Sequence, residues 1–290
     1  MTMPVSTPSV DGLPEVIETI ADWQTDGMPI QLHPGDLGWA WQAGASSLAE
    51  RVRVWSRDGR MLAVGLLDGP TLLRLALAPE ADHDETLAGD MVADLSDPTT
   101  GVLPEGPASV EVRFGSALRS RLDAAGWAPD EAWTPLTLDL TDPVPHAGLR
   151  VVTVTPDLAE ERAAVQRASF DGSTFSAEHW SEMATGPAYR DARCLIGYDE
   201  RGDAVALTTV WSAGAGRPGL IEPLGVHRDH RGRGHGRAIT LAAAEALHEL
   251  GSSSALVCTP SDNEGAVATY AAAGFTPHSE VTDFRRLEAE

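Results

Sequence analysis

The sequence predicts a mixed α/β (α+β) fold arranged as two similar domains, and three observations carry this prediction. Strand-like and helix-like segments alternate through the second half of the chain. A short pattern of alanines followed by a glycine and an aromatic residue occurs near the end of each half. A segment containing Pro143 and Pro145 lies almost halfway along, and prolines there break regular structure. With 290 residues and about 150 residues per domain, we expect a first domain at 1–140, a linker at 141–149 and a second domain at 150–290.

Apolar runs and helix signals place the elements of the second half in order. A turn-rich stretch at 199–203 separates two apolar runs, which indicates a hairpin. A segment rich in Ala and Leu stops at Gly251, which is typical of a helix ended by a glycine. Ser261 and Glu264 have the spacing of a capping box ahead of a second helix that ends at Gly274. The predicted strands are 192–198, 204–211, 219–226, 255–259 and 281–287, and the predicted helices are 236–250 and 265–273.

The two halves share a register. Gly126 and Trp127 stand 148 residues before Gly274 and Phe275, each pair following an Ala-containing segment. The same offset places residues 78–82 against residues 226–230, and both stretches follow an apolar, strand-like run. An ungapped register over roughly fifty residues predicts a tandem repeat of one fold.

Composition excludes several classes of partner. The formal net charge is −22, and all 21 strongly basic residues are arginine. This acidity argues against nucleic acid and anionic membrane surfaces, because both are bound by basic faces. It favours a cationic or neutral small substrate. No apolar run approaches the ~18 residues of a membrane span, and the first residues lack the features of a signal peptide, so we expect a cytoplasmic protein.

Cysteines and tryptophans give weaker signals. Cys194 and Cys258 lie in apolar runs, and neither has metal-ligand spacing around it. We therefore expect two buried thiols, no metal site and no covalent acyl-enzyme intermediate. We expect the tryptophans mainly in the core, with Trp180 or Trp211 as a possible stacking surface for a cationic substrate.

A loop rich in Arg and Gly lies between the strand at 219–226 and the helix that follows it. Its glycines allow close backbone approach to a ligand, and the start of the next helix favours an anion. Arg231, Arg233 and Arg237 add positive charge in an otherwise acidic chain. The pattern predicts a pyrophosphate cradle that is neither a Walker loop nor a dinucleotide fingerprint.

Two linked motifs carry a resemblance to a known family. Arg231, Gly234 and Gly236 match the R/Q-x-x-G-x-G/A motif of the GNAT superfamily of N-acetyltransferases. A second stretch resembles the family's closing motif, with Asn263, Ala266, Tyr270, Gly274 and Phe275 at the matching positions. The resemblance covers residues 151–286. It implies acetyl-CoA as the acyl donor and two tandem GNAT-like domains of the mycothiol synthase type. Each domain would have a mixed, mostly antiparallel central sheet flanked by helices.

The resemblance also implies roles for individual residues. The backbone of residues 224–226 would pair with the pantetheine arm, and the N–H groups of residues 232–237 would cradle the pyrophosphate. Tyr270 would stand near the thioester sulfur as general acid. The expected cofactor-binding residues are Leu224, Gly225, Val226, Arg231, Gly232, Arg233, Gly234, His235, Gly236, Arg237 and Asn263.

Glu222 is the candidate general base. It lies four residues before Val226, so both side chains share one face of a regular strand. In several members of the family the base lies two residues earlier, where this chain has Leu220. Pro223 predicts a bend or bulge beside the site. His227 and His179 stay open as alternatives.

The first half lacks these features. At the offset of 148, Arg231 corresponds to His83, and Tyr270 corresponds to Leu122. We therefore expect a degenerate first domain that does not bind CoA. The expected activity is direct transfer of an acetyl group to a primary amine of a small molecule, by a monomer or homodimer. A longer acyl group, a protein amine, or a CoA-binding sensor without turnover are the alternatives.

Overall fold

A computed structural model describes residues 5–145 and 148–287 of the chain. Residues 146 and 147 of the expected linker lie outside the described residues. No helix in the described part has both the length and the apolar character that crossing a membrane requires.

The regular elements follow in chain order. The α-helices are α1 Leu13–Trp23, α2 Pro34–Ala40, α3 Ala45–Arg51, α4 Glu85–Ser96, α5 Ser116–Ala124, α6 Ala159–Ser169, α7 Ala177–Met183, α8 His235–Glu249 and α9 Glu264–Ala272. The strands are β1 Val52–Arg57, β2 Arg60–Leu67, β3 Leu72–Leu77, β4 Ala108–Glu111, β5 Ala128–Asp139, β6 Arg150–Thr153, β7 Ala192–Tyr198, β8 Ala204–Ser212, β9 Gly219–Val226, β10 Ser254–Pro260, β11 Thr276–Pro277 and β12 Val281–Arg286.

The chain divides into two compact units whose bounds differ from the expected domains. Within the described residues, unit 1 takes residues 5–33, 45–133 and 280–287, and unit 2 takes residues 34–44, 134–145 and 148–279. Helix α2 joins unit 2 because Gly35 and Gly38 lie directly against the Trp211 ring. The last strand, β12, joins unit 1 because it pairs with β4. Both placements depend on partners far away in the sequence, which local patterns do not reveal.

Unit 1 is built on a mixed sheet. Strands β1, β2 and β3 form an antiparallel meander, β4 pairs in parallel with β3, and β12 pairs antiparallel with β4 and the first half of β5. Leu73, Val110 and Leu122 are fully or almost fully buried in its core.

Unit 2 repeats this arrangement. Strands β6 to β9 are antiparallel neighbours, β10 pairs in parallel with β9, and β11 pairs antiparallel with the second half of β5. The main core cluster packs α8 and α9 against β8, β9 and β10 through residues such as Val210, Ile221, Leu247 and Tyr270. The mixed, mostly antiparallel sheets with flanking helices confirm the predicted fold class.

The structure also bears out the register of the repeat. Both ends of α9 lie 148 residues after the corresponding ends of α5, and the parallel pair β9–β10 repeats the parallel pair β3–β4. The predicted capping box was wrong. Helix α9 is capped by Asn263, whose side chain accepts a hydrogen bond from the Ala266 N–H, and the Ser261 hydroxyl instead meets the Thr134 hydroxyl at 2.8 Å.

Candidate active site

The two central parallel strands of unit 2 part soon after they meet. In the described residues, β10 pairs with β9 at Gly219 and Leu220, while β9 continues to Val226. The ladder between β8 and β9 is irregular opposite Glu222 and Pro223, which confirms the bulge predicted from Pro223. Beyond Leu220, the edge of β9 that faces away from β8 therefore borders an opening.

Backbone groups of β9 point into this opening. The His227 N–H donates to the Val205 carbonyl of β8 at 2.9 Å. Ladder bonds alternate along an antiparallel strand, so Gly225 also faces β8, while Leu224 and Val226 direct their N–H and C=O groups to the opposite edge. An extended ligand arm can pair with such an edge as an added strand would.

The equivalent place in unit 1 is closed. There the parallel pairing continues to Arg74 opposite Glu111, and Arg74 is the residue that corresponds to Glu222 at the offset of 148. The Arg74 Nε lies 3.2 Å from a Glu111 carboxylate oxygen, in a network that continues through Arg113 to Asp283. Strands β3 and β4 are thus tied by an ion pair where β9 and β10 part.

Glu222 and Tyr270 lie at the opening of unit 2. Tyr270 is 7% exposed, on α9, with its ring 5.9 Å from that of Phe275. Burial first, and the Glu222 carboxylate second, raise the pKa of the Tyr270 hydroxyl. Tyr270 therefore keeps its proton at physiological pH, and the Glu222 carboxylate is near enough to act on the pKa of its hydroxyl.

The glycine-rich loop after β9 has an open surface. Gly232 has φ +74° and Gly234 has φ +83°, which L side chains rarely adopt, and nothing lies within 4 Å of a Cβ built at either position. Gly234 is the N-cap of α8 and supplies no side-chain cap. The first N–H groups of α8 have no partner within the helix, so this helix end suits an anion.

Helix α4, the counterpart of α8 in unit 1, has its N-terminus already filled. The Asp84 carboxylate accepts a hydrogen bond from the Leu87 N–H at 2.9 Å and pairs with Arg57 at 2.7 Å. The Arg57 hydrogen bond is the main cause that lowers the pKa of Asp84. An internal carboxylate stands where an external phosphate would have to bind.

The three arginines predicted to charge the cradle have different contacts. Arg231 donates to the Ser169 carbonyl at 2.7 Å, and Arg237 donates to the Ala272 carbonyl at 2.8 Å. Arg233 is exposed, and no hydrogen bond or ion pair found within the described residues involves its guanidinium. Arg231 and Arg237 thus fix the loop to α6 and α9, and Arg233 is the best placed to meet a phosphate.

Arg228 has a positioning role that the sequence did not reveal. Its guanidinium donates to the Ala168 and Arg167 carbonyls, next to the Ser169 carbonyl bound by Arg231. Two arginines therefore satisfy three carbonyls at the C-terminal end of α6, where cations are favoured. Gly225 allows β9 to approach this end, since a Cβ there would lie 2.7 Å from the Ser169 Cβ.

The histidines near the site have their Nδ1 atoms engaged or their charge suppressed. The Nδ1 of His227 accepts from the Asp229 N–H at 3.2 Å, and that of His179 accepts from the Ser176 N–H at 3.2 Å. Each Nδ1 is thus occupied as an acceptor, which leaves Nε2 as the ring nitrogen available to a ligand. Burial lowers the pKa of His235, so the group that it can offer to an anion is its backbone N–H.

The comparisons with known proteins agree with this geometry. Residues 158–275 match the model of the acetyltransferase (GNAT) family. The matched segment lies within unit 2, which therefore resembles a GNAT domain. No curated protein sequence matches the chain.

Solved GNAT structures share the fold of the whole chain. A tandem GNAT protein from the clavulanic acid biosynthesis pathway is 18% identical, with a TM-score of 0.62 over 99% of this chain and 98% of that one. A GCN5-related N-acetyltransferase from Sphaerobacter thermophilus is 18% identical, with a TM-score of 0.58 over 97% and 94%. A GNAT-family acetyltransferase from Colwellia psychrerythraea is 15% identical, with a TM-score of 0.60 over 97% and 98%. These likenesses confirm the tandem GNAT-like architecture.

Unit 2 has two features that suit an extended donor bearing a pyrophosphate. The opening beside β9 offers the backbone groups of Leu224 and the Val226 N–H to an extended arm, while the Val226 carbonyl accepts a hydrogen bond from the Arg231 Nε at 3.4 Å. The start of α8, which has no side-chain cap, offers N–H groups to a pyrophosphate. Gly236 serves packing as well, because a Cβ there would lie 2.9 Å from the Thr269 Cγ2. The Asn263 Oδ1 is used as the cap of α9, so its contact with the cofactor stays a prediction.

The expected stacking surface is not available in unit 2. Trp211 is 1% exposed, and its ring is enclosed by α2 while its Nε1 donates to the Glu222 carbonyl at 2.7 Å. Trp180 is buried beside Tyr189. Trp211 is a packing residue because α2, which local patterns did not assign to this unit, covers its ring. Trp180 is a packing residue because its ring lies against Tyr189.

Proposed function

We propose that unit 2 transfers an acetyl group from acetyl-CoA to a primary amine of a small molecule by direct attack, and that unit 1 does not bind CoA. The contrast between the two units carries this proposal. Unit 2 has parted strands and an uncapped helix start, whereas unit 1 has an ion pair across the strands and Asp84 on the helix start. Only the first arrangement has room for an extended donor and its phosphates.

The residues at the opening have complementary tasks in this reaction. An alkyl amine with a pKa of about 10 is protonated at neutral pH, and Glu222 would accept its proton, directly or through water. The amine nitrogen then bonds to the thioester carbonyl carbon, and the Val226 N–H would stabilise the oxygen that becomes negative. As the carbon–sulfur bond breaks, the Tyr270 hydroxyl would donate to the leaving sulfur. Holding the two reactants together supplies a large part of the rate enhancement.

Glu222 is preferred to the histidines on geometry. It lies beside the strand opening and close enough to Tyr270 to raise the pKa of that hydroxyl. The Nδ1 atoms of His227 and His179 are already held by backbone N–H groups. A base at either histidine would have to act through Nε2, because Nδ1 already accepts a backbone hydrogen bond.

An amine panel with acetyl-CoA tests the activity. Release of free thiol is measured for each amine, and the acetylated product is identified by mass. We expect amine-dependent thiol release with one acetyl group gained per thiol. Binding of acetyl-CoA without turnover on any amine would contradict the proposal and support a CoA-binding sensor. A strict preference for a longer acyl-CoA would contradict the acetyl assignment.

A further inference from the structure

Arg162 is a fully buried cation on α6 of unit 2. Its exposed fraction is 0%, its Nε donates to the Cys194 Sγ at 3.3 Å, and its Nη2 donates to the Thr209 hydroxyl at 3.3 Å. No carboxylate among the residues that the structure describes forms an ion pair with it. Buried charges in proteins are normally paired, so this arrangement needs an explanation.

Aromatic rings enclose the guanidinium. The Arg162 Cζ lies 4.2 Å from the centre of the Phe175 ring and 5.8 Å from that of Trp39. The two rings stack on each other at 5.3 Å and 8°, with Phe175 buried and Trp39 half-buried. Ring faces attract a cation and exclude water, yet they bring no negative charge to balance it.

Two polar side-chain atoms on α6 have no hydrogen-bond partner among the residues that the structure describes. They are the Nη1 of Arg162 and the Oε1 of Gln166, and both are buried. Gln166 follows Arg162 by one helical turn, so the two side chains share a face of α6. One charged donor and one amide acceptor on this face of α6 are therefore buried without a hydrogen bond.

This cluster connects to the proposed reaction site through β8. The Thr209 hydroxyl accepts the hydrogen bond from the Arg162 Nη2. Thr209 lies between the two β8 residues that flank the bulge opposite Glu222 and Pro223. Trp211, two residues later, donates to the Glu222 carbonyl. A group bound at Arg162 would thus lie on the same part of β8 that borders the proposed base.

We propose that Arg162 binds a carboxylate of the acyl acceptor, so that the acceptor is an amine that also bears a carboxylate on a short chain. This inference rests on the proposed acetyltransferase function and names its substrate class. A planar carboxylate matches the hydrogen-bonding fork of a guanidinium, and it would neutralise the buried charge. The net negative charge of the chain favours a cationic or neutral substrate. At this place, however, the buried group is the positive Arg162 guanidinium, and its charge selects a negative group on the substrate.

The test compares ω-amino carboxylates of two to six carbons with n-alkylamines of the same chain lengths. We expect kcat/KM to favour the carboxylate member of at least one pair by tenfold or more. Arg162→Met should abolish this preference, because it should raise the KM for the carboxylate member at least tenfold more than the KM for the alkylamine. Arg162→Lys should keep part of the preference, and Arg201→Met, an exposed arginine on the β7–β8 turn, should keep all of it.

Binding without turnover separates this inference from the proposed function. Calorimetry compares the binding of 4-acetamidobutanoate with that of N-butylacetamide, on the wild type and on Arg162→Lys. The lysine variant keeps the buried positive charge, so it can be measured even if Arg162→Met does not fold. Tighter binding of the carboxylate by the wild type, weakened in the lysine variant, supports the inference even if no amine turns over. Equal binding of the two compounds, or a carboxylate preference that survives Arg162→Met, would overturn it. Failure of acetyl-CoA to bind counts against the proposed function alone.

Discussion

Replacing Tyr270 by Phe should slow turnover without loosening the donor. The substitution removes one hydroxyl and leaves the ring packed against Phe275. Because burial and the Glu222 carboxylate raise the pKa of this hydroxyl, full proton transfer to a thiolate with an ordinary pKa of about 8.5 is unfavourable. The hydroxyl then acts mainly as a hydrogen-bond donor to the charged sulfur.

The size of the effect follows from that role. A hydrogen bond to a charged group contributes about 1.5–3 kcal/mol, and each ~1.4 kcal/mol changes a rate tenfold. We therefore expect kcat to fall by about 10- to 150-fold, with the Kd for acetyl-CoA changed by less than about twofold.

Thiol release at saturating acetyl-CoA measures kcat, and calorimetry measures the Kd. Tyr198→Phe is the matched control, since Tyr198 is also a buried tyrosine, but its hydroxyl binds Glu161 on α6 at 2.6 Å. The control should keep its kcat even if its melting temperature falls. A kcat for Tyr270→Phe within twofold of the wild type would refute the donor role, and an equal fall in both variants would show a general loss of packing.

Three other predictions address the base, the cradle and unit 1. Glu222→Gln should shift or abolish the pH dependence of kcat/KM that reports the base; a profile identical to the wild type would transfer the role to His227, His179 or bulk water. Gly234→Asp should weaken acetyl-CoA binding at least about tenfold by placing a carboxylate on the start of α8, whereas Gly202→Asp, at another positive-φ glycine in open space, should leave the Kd unchanged; equal Kd values for both variants would contradict the cradle. Burial raises the pKa of Asp283 to about 6, so its contribution to the free energy of unfolding is present at low pH and is lost as the pH rises through 6. Asp283→Asn should therefore flatten the fall in urea stability between about pH 4 and 6, and an unchanged slope would show that other groups cause it.

The sequence predicts those parts of the molecule whose signals are local. Helix α9 follows from its Ala-rich stretch and its terminal glycine. The structure then shows a counterpart, α5, whose two ends lie 148 residues before those of α9. The cradle follows from Gly232 and Gly234, because both positions need a backbone conformation that glycine adopts without strain. In each case the residue and the structure it specifies lie within one turn of each other.

Contacts between distant segments could not be predicted in this way. The motif predicts that Arg231 binds a phosphate. In the structure its guanidinium donates a hydrogen bond to the carbonyl of Ser169, 62 residues away in the sequence. Arg162 sits in an amphipathic helix where an arginine is normally exposed, and its burial depends on Phe175 and on Trp39 from the start of the chain. Helix α2 belongs to unit 2 and strand β12 to unit 1 for the same reason, because the residues they pack or pair with lie far away in the sequence.

Calorimetric titration of the intact chain with acetyl-CoA tests the central claim most directly, because it counts the working cradles. The account predicts one site per chain, lost in Gly234→Asp and retained when Asp84 in unit 1 is replaced by Asn. Two sites per chain would contradict the proposal that unit 1 does not bind CoA. No binding at millimolar acetyl-CoA would contradict the assignment of the opening beside β9 as the donor site.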